Sequence, residues 1–448
     1  MDGMLLTPDQ NWKLAAARST VSSSCRATVW LLGQWYGTYG KLLTFAVCLN
    51  LAVLCRIVLG HIDWSSETPT LATANLFLAI LFRSEIWIRF LHVVLVGACT
   101  RVSVPLSIRL QITSFLLHLG GLHSGFALCG ISWLGISTFG PATTFGSVAE
   151  LLHTIGYTML LLLVAMSVLA TKPVRVAYHD MFELSHRYFG WTSIALLWCF
   201  VLALPMSGDA KMAVYFHQLV WLPPFWFALG ITVLVASPWI TVRRVRLRTY
   251  CPSKGVIVIA FRGGLGVGTF GRISRTLFGD WHTFAAVSRA RKAKSHAMVV
   301  SGVGDFTNGL IRQRPTELFV REMKFLGLPY SLKAYRRAII IATGAGIAPF
   351  LPLLLQSPHQ NYHVIWIGRS FRRTFGRSIS DAVFCWPHLT TWDTSERGRP
   401  NALELVAEAY RSFSAEVVFV GCNPTATREL VYGCNALGIP AFGPSWDS

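Results

Sequence analysis

At 448 residues the chain has room for two or three domains, but 53% hydrophobic and only 14% charged residues, with mean hydropathy +0.48, exclude a single soluble domain. The net charge of +19 (pI ≈ 9.9) lies in basic residues that bracket apolar segments; this argues against a nucleic-acid binder and for loops facing an anionic leaflet. Ten cysteines without one C-x-x-C give no zinc or iron–sulfur spacing and no disulfide framework, so no metal site is expected.

Residues 1–40 are polar and mixed and read as a cytoplasmic N-terminus, not a signal peptide. Residues 41–241 read as a membrane α-helical bundle of about six spans, at 42–60, 72–98, 110–136, 151–170, 188–204 and 214–240, each near the ~20 residues that cross a bilayer core. Pro223-Pro224 should kink the sixth. Arg101 and Arg109, then Lys172, Arg175 and Arg187, then Arg243, Arg244, Arg246 and Arg248 fall on one side of such a bundle. That side should be cytoplasmic, making the chain a multi-pass integral membrane protein with its C-terminal part in the cytoplasm. Glu85, Arg89 and His92, spaced i, i+4, i+7, share one helix face, and with His123 and His186 they form an expected polar cluster in the membrane half. Either a structural ion pair or a ligand site accounts for it. His123 lies among small residues, Gly120, Gly121, Ser124 and Gly125, that let a neighbouring helix come close.

After Thr249 the character changes. Residues 250–333 read as a β-barrel and residues 334–448 as an α/β subdomain. Residues 255–261 are strand-like. The glycine run 263–268 reads as a hairpin and not as a dinucleotide fingerprint, because no clear helix follows and 272–275 reads as loop. Further on, an isoleucine-rich strand at 338–342 meets Thr343-Gly344-Ala345-Gly346, and Pro349 suits the first turn of a following helix. A strand, a glycine turn and a helix N-terminus make a pyrophosphate site. A second buried strand, 363–368, runs into Arg369, Ser370, Arg372 and Arg373, a set suited to the 2′-phosphate of NADPH or to a solvated basic loop. A third strand, 416–420, ends at Gly421-Cys422-Asn423-Pro424.

The order of Trp281-His282-Thr283-Phe284-Ala285, Gly304-Asp305-Phe306-Thr307 and Gly344-Ala345-Gly346-Ile347-Ala348-Pro349-Phe350 resembles the ferredoxin–NADP reductase superfamily as built into ferric reductases and NADPH oxidases, with their W-H-P-F-T, G-D-W-T and G-x-G-I-A-P-F motifs. With Gly120-Gly121-Leu122-His123-Ser124-Gly125, Phe182-Glu183 before His186-Arg187, and the ending Ala441-Phe442-Gly443-Pro444-Ser445-Trp446-Asp447-Ser448, the chain also resembles fungal TmpA-type integral membrane oxidoreductases and the reductase-like C-terminal regions of some adenylate-forming enzymes. The resemblance covers about residues 40 to 448.

It implies a cytoplasmic module of a flavin β-barrel and a nucleotide-binding α/β subdomain, using FAD and NADPH to pass electrons to an unidentified acceptor, in fungal development or specialised metabolism. Trp281, His282, Phe284, Gly304, Asp305 and Thr307 would hold FAD; Thr343, Gly344, Gly346, Pro349 and Gly421 the dinucleotide. Cys422 would lie near the nicotinamide and Trp446 over the flavin. Thr283 and Ala285 stand where the motif has proline and threonine, removing a hydroxyl expected at the ring. The paired-histidine ladder for two haems is missing: His118 and His123, five apart on a helix, diverge by about 140°, and positions 199 and 200 hold Cys199 and Phe200. Haem is therefore not expected. A haem-bearing transmembrane reductase and a non-enzymatic membrane regulator with a degenerate reductase domain are the alternatives.

Overall fold

The computed structural model describes residues 37–61, 64–101, 103–140, 147–206, 212–357 and 361–444. The first half is helical: α1 (Thr38–Val58), α2 (Trp64–Leu81), α3 (Glu85–Leu91) running through a π-helical turn (His92–Val96) into α4 (Gly97–Arg101), α5 (Leu106–Leu117), α6 (Gly120–Phe139), α7 (Ser147–Leu169), α8 (Lys172–Ala177), α9 (His179–Ala203), α10 (Met212–Trp221) and α11 (Pro223–Ile240).

Three of the expected spans are broken. Residues 72–98 divide at Arg83-Ser84, where the Ser84 hydroxyl accepts the Trp87 N–H (3.2 Å) and starts a new helix. Residues 110–136 divide at His118-Leu119, ahead of Gly120. Residues 214–240 divide before Pro223, whose missing N–H suits a first helical position. Among the described residues five helices are long and apolar enough to cross a membrane: Thr38–Val58, Gly120–Phe139, Val148–Leu169, His179–Met206 and Pro223–Ile240.

The chain divides into two compact units. The helical unit takes the described residues as far as Trp87, and His118–Ile240. The second unit takes Ile88–Leu117 as well as the described residues from Thr241 onward. Residues 88–98 and 110–117, expected as the adjoining ends of two spans, thus belong with the C-terminal half, together with the loop between them. Apolar composition alone does not separate a helix that faces lipid from one that covers a protein core.

In the helical unit α6 lies tightly on α1. A Cβ on Gly121 would come within 2.3 Å of the Tyr39 carbonyl oxygen, and one on Gly125 within 2.8 Å of the Ala46 Cβ. Asn50 and Asn75 exchange amide hydrogen bonds (2.9 Å each), and Trp133 Nε1 donates to Asn50 Oδ1 (2.8 Å), so a buried polar knot ties α1, α2 and α6.

The second unit opens with antiparallel strands: β1 (Val242–Arg246), β2 (Arg248–Ser253), β3 (Val256–Arg262), β4 (Thr269–Ser274), β5 (His282–Ala285) and β6 (Ser295–Ser301). Then follow α12 (Asp305–Gln313), β7 (Glu317–Arg321), β8 (Phe325–Leu326) and α13 (Leu328–Ser331). They form one sheet ordered β1-β7-β4-β5, with β8 on β4, and another ordered β2-β3-β6. The glycine run 263–268 therefore joins two sheets and is not a hairpin, and 272–274, expected as loop, ends β4.

The rest is a doubly covered parallel sheet. Its elements are β9 (Arg337–Thr343), α14 (Leu351–Gln356), β10 (Asn361–Gly368), α15 (Phe371–Phe375), α16 (Arg377–Phe384), β11 (Leu389–Asp393), α17 (Thr394–Arg397), α18 (Ala402–Ser412), β12 (Val417–Gly421), α19 (Pro424–Ala436) and β13 (Ala441–Phe442), in the order β11-β10-β9-β12-β13. Side chains alternate between two cores. Ile340, Trp366 and Phe419 face one, and Ile339, Ile365 and Val418 face the other. The first core also contains Val96, Cys99 and Leu116 from the 88–117 segment.

Candidate functional site

The order in which strands are added to the parallel sheet reverses at β9, and ligands of such sheets bind at the carboxyl ends of the strands there. At that edge Gly344 takes φ +54°, a left-handed conformation that favours glycine. A Cβ added to Gly344 would meet nothing nearer than Phe375 Cζ at 3.9 Å, so the turn has open space above it. Trp366 Nε1 donates to the Gly344 carbonyl (2.9 Å) and pins the turn to β10.

Gly346 is the opposite case: a Cβ there would lie 1.7 Å from the Gly421 carbonyl oxygen, so this turn and the end of β12 touch through bare backbone. Beyond the turn, the helix expected to begin near Pro349 is a 3-10 turn (Gly344–Ile347) followed by the short α14, and Pro352 occupies the helix's first turn. The anion site expected from a long helix dipole is thus reduced to the turn itself. The Cys422 thiol is buried (4% exposed) in the second core. Burial pushes it up, against hydrogen bonding with Thr343 that pulls it down. Trp446 lies outside the described residues.

The basic set after β10 separates. Arg372 Nε donates to Asp381 Oδ1 (3.0 Å), and its guanidinium lies 5.5 Å over the Phe384 ring, which turns it toward α16. Arg369 and Arg373 are exposed. Ser370, at φ +44°, has its N–H held by both oxygens of Asp393 (3.0 Å each). Asp393 ends β11, directly across from Gly368 in β10. The Ser395 hydroxyl and the Ser370 N–H hold its carboxyl below the usual carboxylate range. Asp393 was not anticipated; an acidic residue closing a parallel strand next to Gly-Arg-Ser was the available signal.

On the antiparallel side, β5 is the outermost strand of its sheet, so one edge of its backbone is left for a ligand. His282 stacks on Phe306 (centroids 3.8 Å apart, 24°), and the Arg275 guanidinium covers Phe306 (5.2 Å) while donating to its carbonyl (2.7 Å). Phe284 packs against the core of the antiparallel module, whose strands form two sheets and not the single barrel expected, and Thr283 is exposed. Trp281 is buried, with the Arg321 guanidinium 4.7 Å from its ring centroid. Gly304 caps α12, with nothing within 4 Å of an added Cβ; the Thr307 hydroxyl accepts the N–H groups of Val303 and Gly304, and Asp305 stands in the first turn.

An open glycine turn at the switch point fits a dinucleotide. A strand at the end of its sheet beside a His/Phe/Arg stack fits a flavin. Arg275 escaped the sequence reading because 272–275 was taken as loop.

The expected polar cluster of the membrane half divides between the two units. Glu85 (6% exposed), His123 and His186 belong to the helical unit. His123 Nδ1 is hydrogen-bonded to the Ala79 carbonyl (2.9 Å), and its ring centroid is 6.3 Å from that of His186. Arg89 and His92 belong to the other unit: Arg89 donates to the Lys324 carbonyl (3.2 Å), and the His92 ring meets Tyr330 edge-on (6.4 Å). The π-helical turn at His92 breaks the regular register that the i, i+4, i+7 spacing assumed. Among the described residues no group of three or more His, Cys, Asp or Glu is arranged to hold a metal ion.

With this geometry in place, similarity to known proteins can be weighed. Residues 328–448 match the family model described as adenylate-forming reductase 03009, C-terminal domain. The chain is 30% identical over 423 residues to adenylate-forming reductase 06235 of Coprinopsis cinerea, and 30% identical over 425 residues to adenylate-forming reductase 03009 of the same organism. Both alignments cover 93% of this chain but only 40% of the relative, so the chain spans about two fifths of the length of the curated relatives it matches. The similarity is to reductases. Solved structures with related coordinates include phthalate dioxygenase reductase (TM-score 0.36, 11% identity, 45% of this chain and 68% of that one) and the cytochrome P450 reductase GcoB of Amycolatopsis (TM-score 0.35, 12% identity, 46% and 71%).

Proposed function

We propose that the chain is a membrane-anchored oxidoreductase that oxidises a reduced pyridine dinucleotide through a flavin and delivers the electrons to an acceptor. The observation that carries this reading is the Gly344–Gly346 turn, open at Gly344 and locked on Gly421 at Gly346, at the carboxyl edge of a parallel sheet preceded by an antiparallel module. When bound, the dinucleotide would supply hydride and the flavin would take up the electron pair.

The residues divide the work. Thr343, Gly344, Gly346 and Gly421 shape the floor under the diphosphate, with Pro349 in the run that follows. The β5 edge with His282, Phe284 and Trp281, and the cap formed by Gly304, Asp305 and Thr307, hold the flavin. Cys422 positions the end of β12 through Thr343, and Trp446 is proposed to shield the ring. The five long apolar helices anchor the chain as a multi-pass protein in a lipid bilayer, and the basic loops keep the C-terminal unit cytoplasmic. On this reading the chain is of the fungal TmpA-type and serves development or specialised metabolism, with no nucleic-acid partner.

One observation favours a second reading: the His123 and His186 rings, on α6 and α9, lie 6.3 Å apart between centroids, and these two side chains would be the ones to hold a haem. Purified full-length protein is expected to show a flavin absorbance band that bleaches when NADH or NADPH is added without oxygen. A Soret band lost in His123→Ala would replace this reading with the haem-bearing one. A colourless protein that oxidises neither dinucleotide would leave the non-enzymatic regulator.

A further inference from the structure

We infer that Asp393 makes this site select a dinucleotide with a free ribose 2′-hydroxyl, NADH, over one carrying a 2′-phosphate, NADPH. The inference rests on the nucleotide site proposed above and reverses the expectation drawn from the basic residues after β10.

Three observations carry it. First, placement: in parallel sheets of this kind the adenosine ribose lies by the strand ends next to the glycine turn, where an acidic side chain accepts its 2′-hydroxyl. Asp393 closes β11 beside Gly368, and β10 in turn pairs with β9, which leads into the glycine turn. Second, spare acceptor capacity: Oδ1 takes the N–H groups of Ser370 (3.0 Å) and Ser395 (2.9 Å) and the Ser395 hydroxyl, whereas Oδ2 takes the Ser370 N–H (3.0 Å). A carboxylate oxygen with one partner still accepts a hydroxyl. The same bonds fix the carboxylate, because they hold Ser370 in its left-handed conformation and cap α17.

Third, charge: a 2′-phosphate needs a cationic fork, and of the arginines after β10 Arg372 is turned toward Asp381 and Phe384. Arg369 is within electrostatic reach of Asp393 and offsets part of its charge. A dianion beside Asp393 meets repulsion that a neutral diol does not.

The test uses detergent-solubilised full-length protein. Dissociation constants are measured by titration calorimetry for NADH, NADPH, 5′-AMP and adenosine 2′,5′-bisphosphate; the last two need no flavin. The expected result is tighter binding of NADH than NADPH, and of AMP than the bisphosphate, by about tenfold or more. In Asp393→Asn, which keeps the side-chain shape and one acceptor oxygen, that ratio should fall by about tenfold with an unchanged melting temperature. Asp393→Ser, which also removes the bulk, should move the preference toward the 2′-phosphorylated ligands. Tighter binding of NADPH by the unaltered protein, or a ratio that both substitutions leave as it was, overturns the inference while the nucleotide site stands. Binding of none of the four ligands overturns both the inference and the proposed site.

Discussion

Glu416→Ala is expected to destabilise the C-terminal unit by about 2–4 kcal/mol, a range that begins below the ~3–5 kcal/mol for one partner lost from a fully buried ion pair. Arg109, on α5, forks its guanidinium onto Glu416: Nη2 to Oε1 at 2.8 Å and Nη1 to Oε2 at 3.0 Å. Nη1 also donates to the Ala334 carbonyl (2.9 Å). The Arg109 and Glu416 side chains are 11% and 20% exposed, so some water reaches the pair and the full buried-pair penalty does not apply. Around it the Tyr335 hydroxyl donates to the Arg109 carbonyl (3.1 Å) and shares a hydrogen with Thr113 (2.8 Å). Glu416 Oε2 also accepts the Arg336 N–H (2.7 Å) at the start of β9. Removing Glu416 thus strands a cation and an N–H together.

Burial pushes the Glu416 carboxyl up, but the bonds from Arg109 and Arg336 outweigh it and hold the group below its ordinary value of 4.5. A carboxyl lowered on folding stabilises fully above that value, and the contribution is lost as pH falls through the lower folded value. The melting temperature of the unaltered protein should therefore drop on acidification below about pH 4.5 more steeply than that of Glu416→Gln. Equal melting temperatures for Glu416→Ala and the unaltered protein would show that the fork contributes nothing. The same packing makes a fragment beginning at Thr241 incomplete. Leu116, Val96 and Cys99 fill the core next to Phe419 and Tyr335, and their removal should leave the fragment insoluble or proteolysed.

That contact shows where sequence reading stops. The buried strands were legible because 338–342, 363–368 and 416–420 are short β-branched runs with turns at their ends, and β9, β10 and β12 fall on them. The glycine turn was legible for the same reason. β4 was missed because Arg272 interrupts a short run whose alternation comes from pairing with β5 and β7. The fate of 88–117 was not legible: an apolar helix that covers a protein core carries the same composition as one that faces lipid. Arg109 and Glu416 are 307 positions apart, and nothing local joins them. Arg369, Ser370, Arg372 and Arg373 look like one cluster in a linear reading, but Asp381, one turn into α16, draws Arg372 away.

Gly346→Ala should be the most damaging single methyl in the parallel-sheet subdomain. The added Cβ would lie 1.7 Å from the Gly421 oxygen and 2.7 Å from its carbonyl carbon, far inside any real contact. Both atoms are backbone, so no side chain can swing aside; β12 must part from the turn. Gly421 has no slack to give, since its own Cβ position already falls 2.5 Å from the Gly346 oxygen and 2.7 Å from Phe350. The expected cost is roughly 2–4 kcal/mol, at or above the usual range for overpacking a core, together with loss of dinucleotide binding. Gly344→Ala is the informative contrast. Its φ of +54° costs an alanine about 1–2 kcal/mol, yet the nearest atom is 3.9 Å away, so the fold should survive. What it fills is the open space above the turn, where a diphosphate would approach the backbone. Melting curves and dinucleotide titrations on both variants separate the two effects: Gly346→Ala should lose melting temperature and binding together, and Gly344→Ala should lose mainly binding. A Gly346→Ala protein that melts and binds like the unaltered one would mean that the turn and the end of β12 are not in contact, and the site built on their contact would fall with it.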